Sequence, residues 1–166
     1  MSAKTYRAYN GASPTTAALA PVTTGTAIKT MLQIATPSTE QLRVVEWGIS
    51  FDGSAAATPG KIELIETDVA ATVTAHVAAG IIKVNSPNDV ASLVTLGTSA
   101  TGYTASAEGT TTASRLLDYQ LIAPTGQYVI QYPLGREKEV AASKFLRVRV
   151  TFAAAVNAVC YVEWEE

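Results

Sequence analysis

One cysteine, Cys160, and one histidine, His76, stand alone among 166 residues. A single thiol cannot form an internal bridge, so no disulfide framework exists. A zinc site built from three or four His, Cys and carboxylate ligands lacks its usual nitrogen and sulfur set. Charge is also scarce: 16% of residues carry it, with twelve Lys and Arg against fourteen Asp and Glu for a net −2. Non-specific binding to nucleic acid draws mainly on a basic face, and none is offered here. No apolar run approaches the roughly 20 residues of a membrane-spanning helix. The start, Met1 to Arg7, has no apolar core behind its basic residues and so does not read as a secretory signal. Neither a Gly-x-Gly-x-x-Gly nor a Gly-x4-Gly-Lys-Ser/Thr phosphate loop occurs, and no Asp-x-Asp-x-Asp-Gly calcium loop.

What is present is apolar residues with the period of strands. At 48% apolar residues and 17.4 kDa the chain fits one domain. Residues 41–51 place Val45, Trp47, Ile49 and Phe51 on one face, with Leu42 and Val44 giving partial cover on the other. Residues 145–152 turn Leu146, Val148, Val150 and Phe152 inward and Arg147, Arg149 and Thr151 outward. Weaker strand patterns cover residues 27–36, 61–66, 117–122, 128–134 and 158–164. The 117–122 run carries Leu117, Tyr119 and Leu121 on one face. Pro124-Thr125-Gly126 is short enough to join two runs as a hairpin, and Asn157 similarly separates the last two. Residues 68–79 fit a strand better than a helix, because Thr72 to Val77 alternate and are rich in β-branched side chains. The Ala-rich, charged residues 137–144 suit one helical turn. Residues 85–114, dominated by Ser, Thr, Gly and Ala, read as a long surface excursion.

These patterns predict an all-β fold, an antiparallel, jelly-roll-like β-sandwich over residues 27–166. Residues 1–26 precede it as a low-complexity N-terminal arm. From Asn10 to Thr26 the arm has small residues, two prolines and little to bury. It cannot offset the ~1–2 kcal/mol per residue that ordering a backbone costs.

The same residues argue against catalysis. His76 reads as an exposed or hydrogen-bonded strand residue, and Cys160, on the apolar face of the last strand, as a buried inert thiol. Asp52, Asp68 and Asp89 read as turn formers, and Glu163, Glu165 and Glu166 as a solvated end. Arg136, Lys138, Lys144, Arg147 and Arg149 are interrupted by Glu137 and Glu139 and read as a solvated face. Trp47, Trp164, Tyr103, Tyr119 and Tyr161 could serve a sugar platform, although Trp47 fits the core better. The sequence therefore offers no catalytic, cofactor-binding or metal-binding residue.

Three stretches carry a resemblance: Val44 through Gly53, the Ala/Thr-rich connections, and the ending Phe145 to Val150 with Cys160 through Glu166. In texture and segment order they resemble small virion proteins of tailed bacteriophages that coat the capsid as decoration or cementing subunits. The resemblance implies a non-enzymatic structural protein located in the virion and assembled in the host cytoplasm. It also implies homo-oligomers, commonly trimers, bound to the major capsid protein or another virion protein. In that setting residues 1–26 and 85–114 would supply intersubunit or shell contacts. A carbohydrate-binding or host-adhesion module, with a glycan as partner, and a tail component are the alternatives. No nucleic acid, membrane or cofactor is implied.

Overall fold

The computed structural model describes residues 3–54 and 58–166; Met1 and Ser2 of the expected arm lie outside them. Thirteen strands follow in chain order: β1 (Thr5–Tyr9), β2 (Val22–Thr23), β3 (Lys29–Ala35), β4 (Leu42–Phe51), β5 (Gly60–Thr67), β6 (Thr72–Ala75), β7 (Ile82–Lys83), β8 (Gly102–Ala107), β9 (Ser114–Ile122), β10 (Gln127–Gln131), β11 (Lys138–Val140), β12 (Phe145–Thr151) and β13 (Asn157–Glu165). A 3-10 turn at Ala78–Gly80 is the one helical element among the described residues. The strands form two antiparallel sheets packed face to face. The first runs β10-β4-β13-β1-β7, with β11 also on β4 and β2 on β13. The second runs β6-β8-β3-β12-β5-β9.

The inward faces are those the period-two pattern indicates for β12 and β13. Leu146, Val148, Val150 and Phe152 meet Ala158, Cys160, Val162 and Trp164 in one buried cluster with Trp47, Ile49, Ile62 and Leu64. Each such side chain contributes about 1.5–3 kcal/mol when fully buried, which makes this cluster the main support of the fold.

Residues 3–26 are not an arm outside the sandwich. β1 lies inside the first sheet between β13 and β7, with Tyr6 and Ala8 buried, and β2 pairs with β13. The Asn10 side chain is buried too, giving its amide N–H to the Ala158 carbonyl and accepting from Cys160 N. The small side chains of the segment concealed this, since β1 needs only two apolar residues to fill its place.

Strict alternation fails in β4 and β9 because each contains a bulge. Trp164 faces Val44 while Glu163 faces Glu46, so Val45 is the extra residue and the phase reverses there. Leu42 and Val44 thus share the core with Trp47 and Ile49 instead of covering the opposite face. In β9, Leu64 faces Asp118 and Ile65 faces Leu116, leaving Leu117 as the extra residue. Beyond that bulge Tyr119 and Leu121 turn to solvent and Asp118 turns toward the interior.

The remaining corrections concern connections. The Pro124-Thr125-Gly126 stretch is not a hairpin: β9 pairs only with β5 and β10 only with β4, so this link arches from one sheet to the other. The link through Asn157 likewise crosses from β12 in the second sheet to β13 in the first. Residues 137–144 hold strand β11 on β4 instead of a helical turn. Residues 85–114 include β8, an interior strand between β6 and β3, so the excursion is partly core. Residues 68–79 contain β6, as the alternation indicates, before the chain tightens into the 3-10 turn.

Candidate interaction surface

The residues singled out for possible chemistry are mostly engaged within the fold. His76 is buried just beyond β6; its Nε2 lies 2.8 Å from the Tyr9 carbonyl and its ring meets Tyr103 edge-on. Desolvation holds its pKa below the ordinary 6.5. Cys160 is fully buried, and burial pushes its thiol pKa far up, away from a reactive thiolate. Asp52 accepts bonds from the backbone and side-chain N–H groups of Asn157, and Asp68 from Thr112 and Ala113. Those bonds hold the Asp68 carboxyl down at about 2. Asp89 pairs with Lys4 at 2.7 Å. No group of three or more His, Cys, Asp or Glu among the described residues is placed to hold a metal ion.

The acidic C-terminal residues are not simply solvated. Glu166 accepts bonds from Ser92 Oγ, from Leu93 N at 2.8 Å and from Trp164 Nε1 at 3.0 Å. Together with Glu165 it borders a hollow of about 260 Å³ that also contains Arg43. Glu163 and Glu46 face each other across β13 and β4, a pair of carboxylates on the outer face of the first sheet. Arg7 binds Glu163 from Nε at 2.8 Å and from Nη2, and it lies within 4.0 Å of Glu46. Tyr161 donates its hydroxyl to Glu46, with Arg7 above its ring and Tyr9 beside it. Gly48 makes room for this: a Cβ there would meet Tyr161 Cε1 at 2.8 Å and Val129 Cγ2 at 2.9 Å. With Arg7 between them, two acids on a flat sheet do not form the open carboxylate pair that glycoside cleavage uses.

Two interior networks had little signal in the sequence. Arg147, expected in solvent, is 0% exposed. Its Nε donates to Thr30 Oγ1 at 3.0 Å, and Nη2 donates to the Glu108 carboxylate at 2.7 Å and to the Glu108 carbonyl at 2.8 Å. Residues 108–111 thereby lie over β12. Asp118 gathers Trp47 Nε1 at 3.1 Å, the Tyr128 hydroxyl at 2.8 Å and, at 3.4 Å, that of Tyr132. Burial and this carboxylate raise both tyrosine pKa values. The network fastens β9 to β10 where the two sheets meet. Trp47 and Trp164 are in the core, so neither can form a sugar platform. Of the remaining candidates Tyr103 and Tyr161 are half-buried, and Tyr119 is exposed on β9. Arg136 is exposed, Lys138 and Lys144 are half-buried, and Arg149 pairs with Glu63 at 2.6 Å.

Among the side chains the fold leaves outside are large apolar ones. Leu116, Tyr119 and Leu121 project from β9, Val129 from β10, and Leu134, 94% exposed, from the loop beyond it. Six more lie between Val77 and Leu96: those two residues with Ile82, Val84, Val90 and Leu93. The alternation in β9 could have shown the first group had the bulge at the Leu116-Leu117 doublet been allowed for. These side chains are the surface with most to gain from being covered.

No family model, curated protein or solved structure matches the chain.

Proposed function

We propose that this chain acts by adhesion and not by chemistry, as a virion structural protein of a tailed bacteriophage. Its role is that of a capsid decoration or cementing subunit, a jelly-roll-like sandwich that binds the shell and its own copies. The observation that carries this reading is that His76, Cys160, Arg147 and Asp118 are engaged within the fold while large apolar side chains are left on its surface. Such a surface suits many modest contacts multiplied by valency. The expected test result is co-sedimentation of the purified chain with undecorated shells of the major capsid protein, and labelled protein on the capsid exterior in electron micrographs. Label confined to the tail would assign it there instead, and no particle association at all would overturn the reading.

A second reading, a glycan-binding module for host adhesion, draws on one observation. Tyr9 and Tyr161 lie side by side on the outer face of the first sheet, with ring centroids 5.6 Å apart and the hydrogen-bonding groups of Arg7 and Glu46 adjacent. Glycan-array binding abolished by Tyr161→Ala would favour it; an array without signal would remove it.

A further inference from the structure

Asn10 closes a gap that two strands leave along β13. β1 ends with Tyr9 opposite Tyr161, and β2 begins with Val22 opposite Ala158, so Val159 and Cys160 have no strand partner on that side. Asn10 lies across the gap. Its main-chain N–H donates to the Cys160 carbonyl at 3.1 Å, its side-chain Nδ2 donates to the Ala158 carbonyl at 3.0 Å, and its Oδ1 accepts from Cys160 N at 2.9 Å. The residue is 0% exposed. One partner is an acceptor and the other a donor, which fixes the way the amide points. A carboxamide serves both, whereas a carboxylate accepts and cannot donate.

Gly11 follows, and this is the one Asn-Gly pair among four asparagines; Asn85, Asn88 and Asn157 precede Ser86, Asp89 and Ala158. A Cβ on residue 11 would stand 3.0 Å from Leu19 Cδ1, so the position has little room for a side chain. The fold thus favours both members of the asparagine dipeptide that is chemically least durable. With no side chain in the way and a permissive backbone, a glycine nitrogen reaches the preceding asparagine Cγ most readily. The bond from Gly11 N to Asn10 Cγ forms and the Cγ–Nδ2 bond breaks. Nδ2 leaves as ammonia, taking the proton that Gly11 N gives up. Water then opens the succinimide ring at one carbonyl or the other, leaving aspartate or isoaspartate.

We propose that Asn10 is a latent deamidation site, kept intact by its pairing with β13 and modified when that pairing opens. In the closed sheet the carboxamide cannot swing onto Gly11 N without breaking two buried hydrogen bonds, and no solvent reaches it. Both protections are lost together once β1 separates from β13. The change is one-way. Aspartate sets an oxygen where Nδ2 faced the Ala158 carbonyl, which opposes two acceptors and buries a charge without a partner. Isoaspartate adds a carbon to the main chain between residues 10 and 11 and takes the side-chain groups out of line with Ala158 and Cys160. Deamidation therefore converts a transient opening of the first sheet into a permanent one. This inference is independent of the adhesive role and needs no partner.

Peptide mapping by mass spectrometry tests this on the full chain, held at one mildly alkaline pH and one temperature in guanidinium chloride and in buffer. In denaturant Asn10 should be modified before Asn85, Asn88 and Asn157. In buffer it should react at least about thirtyfold more slowly, because only opened molecules react. Gly11→Ala should slow the reaction of Asn10 in denaturant. Chains aged in denaturant and returned to buffer should carry the modification in the fraction that fails to refold, separated by size exclusion. Asn10→Asp, which bears one product from the start, should unfold at a lower denaturant concentration than the parent. If the parent itself does not refold, that midpoint decides whether the change is one-way. Equal rates in buffer and denaturant, another asparagine reacting first in denaturant, modified chains refolding as completely as unmodified ones, or an Asn10→Asp chain with the parent midpoint would each overturn the proposal.

Discussion

β12 and β9 lie in the same sheet, separated only by β5, and they invert each other. The outward side of β12 carries Arg147, which is fully buried, whereas the outward side of β9 carries Leu121, which is 61% exposed. A hydropathy argument would assign the two environments the other way round. The difference lies in what lies above each strand. Residues 108–111 cross β12 and present Glu108 and Thr111 to the guanidinium, so the charge is desolvated but fully engaged. Leu116, Tyr119 and Leu121 on β9 have no such cover among the described residues. Burial on an outer face follows from the connections that pass over it more than from the residues on it.

The largest effect should come from breaking the buried side of this contrast. Arg147→Ala leaves the Glu108 carboxylate and Thr30 without their partner, and denaturant unfolding should show a loss of about 3–5 kcal/mol. Replacement by Met, which removes the charge but fills the space, should cost less than Ala. Next is the network that fastens β9 to β10. Asp118→Ala strands the Trp47 and Tyr128 donors and should cost about 2–3 kcal/mol by the same measurement. A smaller, pH-dependent effect belongs to His76. Because burial lowers its folded pKa below 6.5, the unfolded chain takes up the proton first. Stability should be level above about pH 6.5 and fall as the pH drops toward the folded value. His76→Gln should flatten that part of the profile, while the loss at lower pH, from the depressed carboxyls of Glu66 and Asp68, persists. The smallest effect sharpens the exposed side: Leu121→Lys should change the stability of the monomer by no more than about 0.5 kcal/mol. A large loss there would mean that β9 is already covered.

Much of the fold was legible from side-chain period alone. The sandwich, the inward faces of β12 and β13, the buried thiol and the strand at residues 72–75 all follow from alternation and β-branching. Three kinds of feature did not. Bulges at Val45 and Leu117 reverse the phase, and their only trace is an apolar doublet, Val44-Val45 or Leu116-Leu117, where one apolar and one polar residue would be expected. A three-residue turn signal does not say whether the chain reverses within a sheet or crosses to the other, since both need the same local backbone; the distinction lies in which strands flank the link. The cover over Arg147 comes from residues nearly forty positions away, in a Ser/Thr/Gly-rich stretch with no apolar pattern of its own. For the same reason the exposed apolar side chains of β9 were missed: exposure is a property of the assembled sheets.

The position of β13 has a consequence for how the protein is made. The last strand of the chain lies at the middle of its sheet, with β4 on one side and β1 on the other. Until those residues are made, β1 has only β7 and β4 only β10 and β11 beside it, and the pairing of β1 with β13 spans most of the sequence. The first sheet can therefore close only after β13 has been made, and until then the unpaired edges of β1 and β4 are exposed to wrong partners.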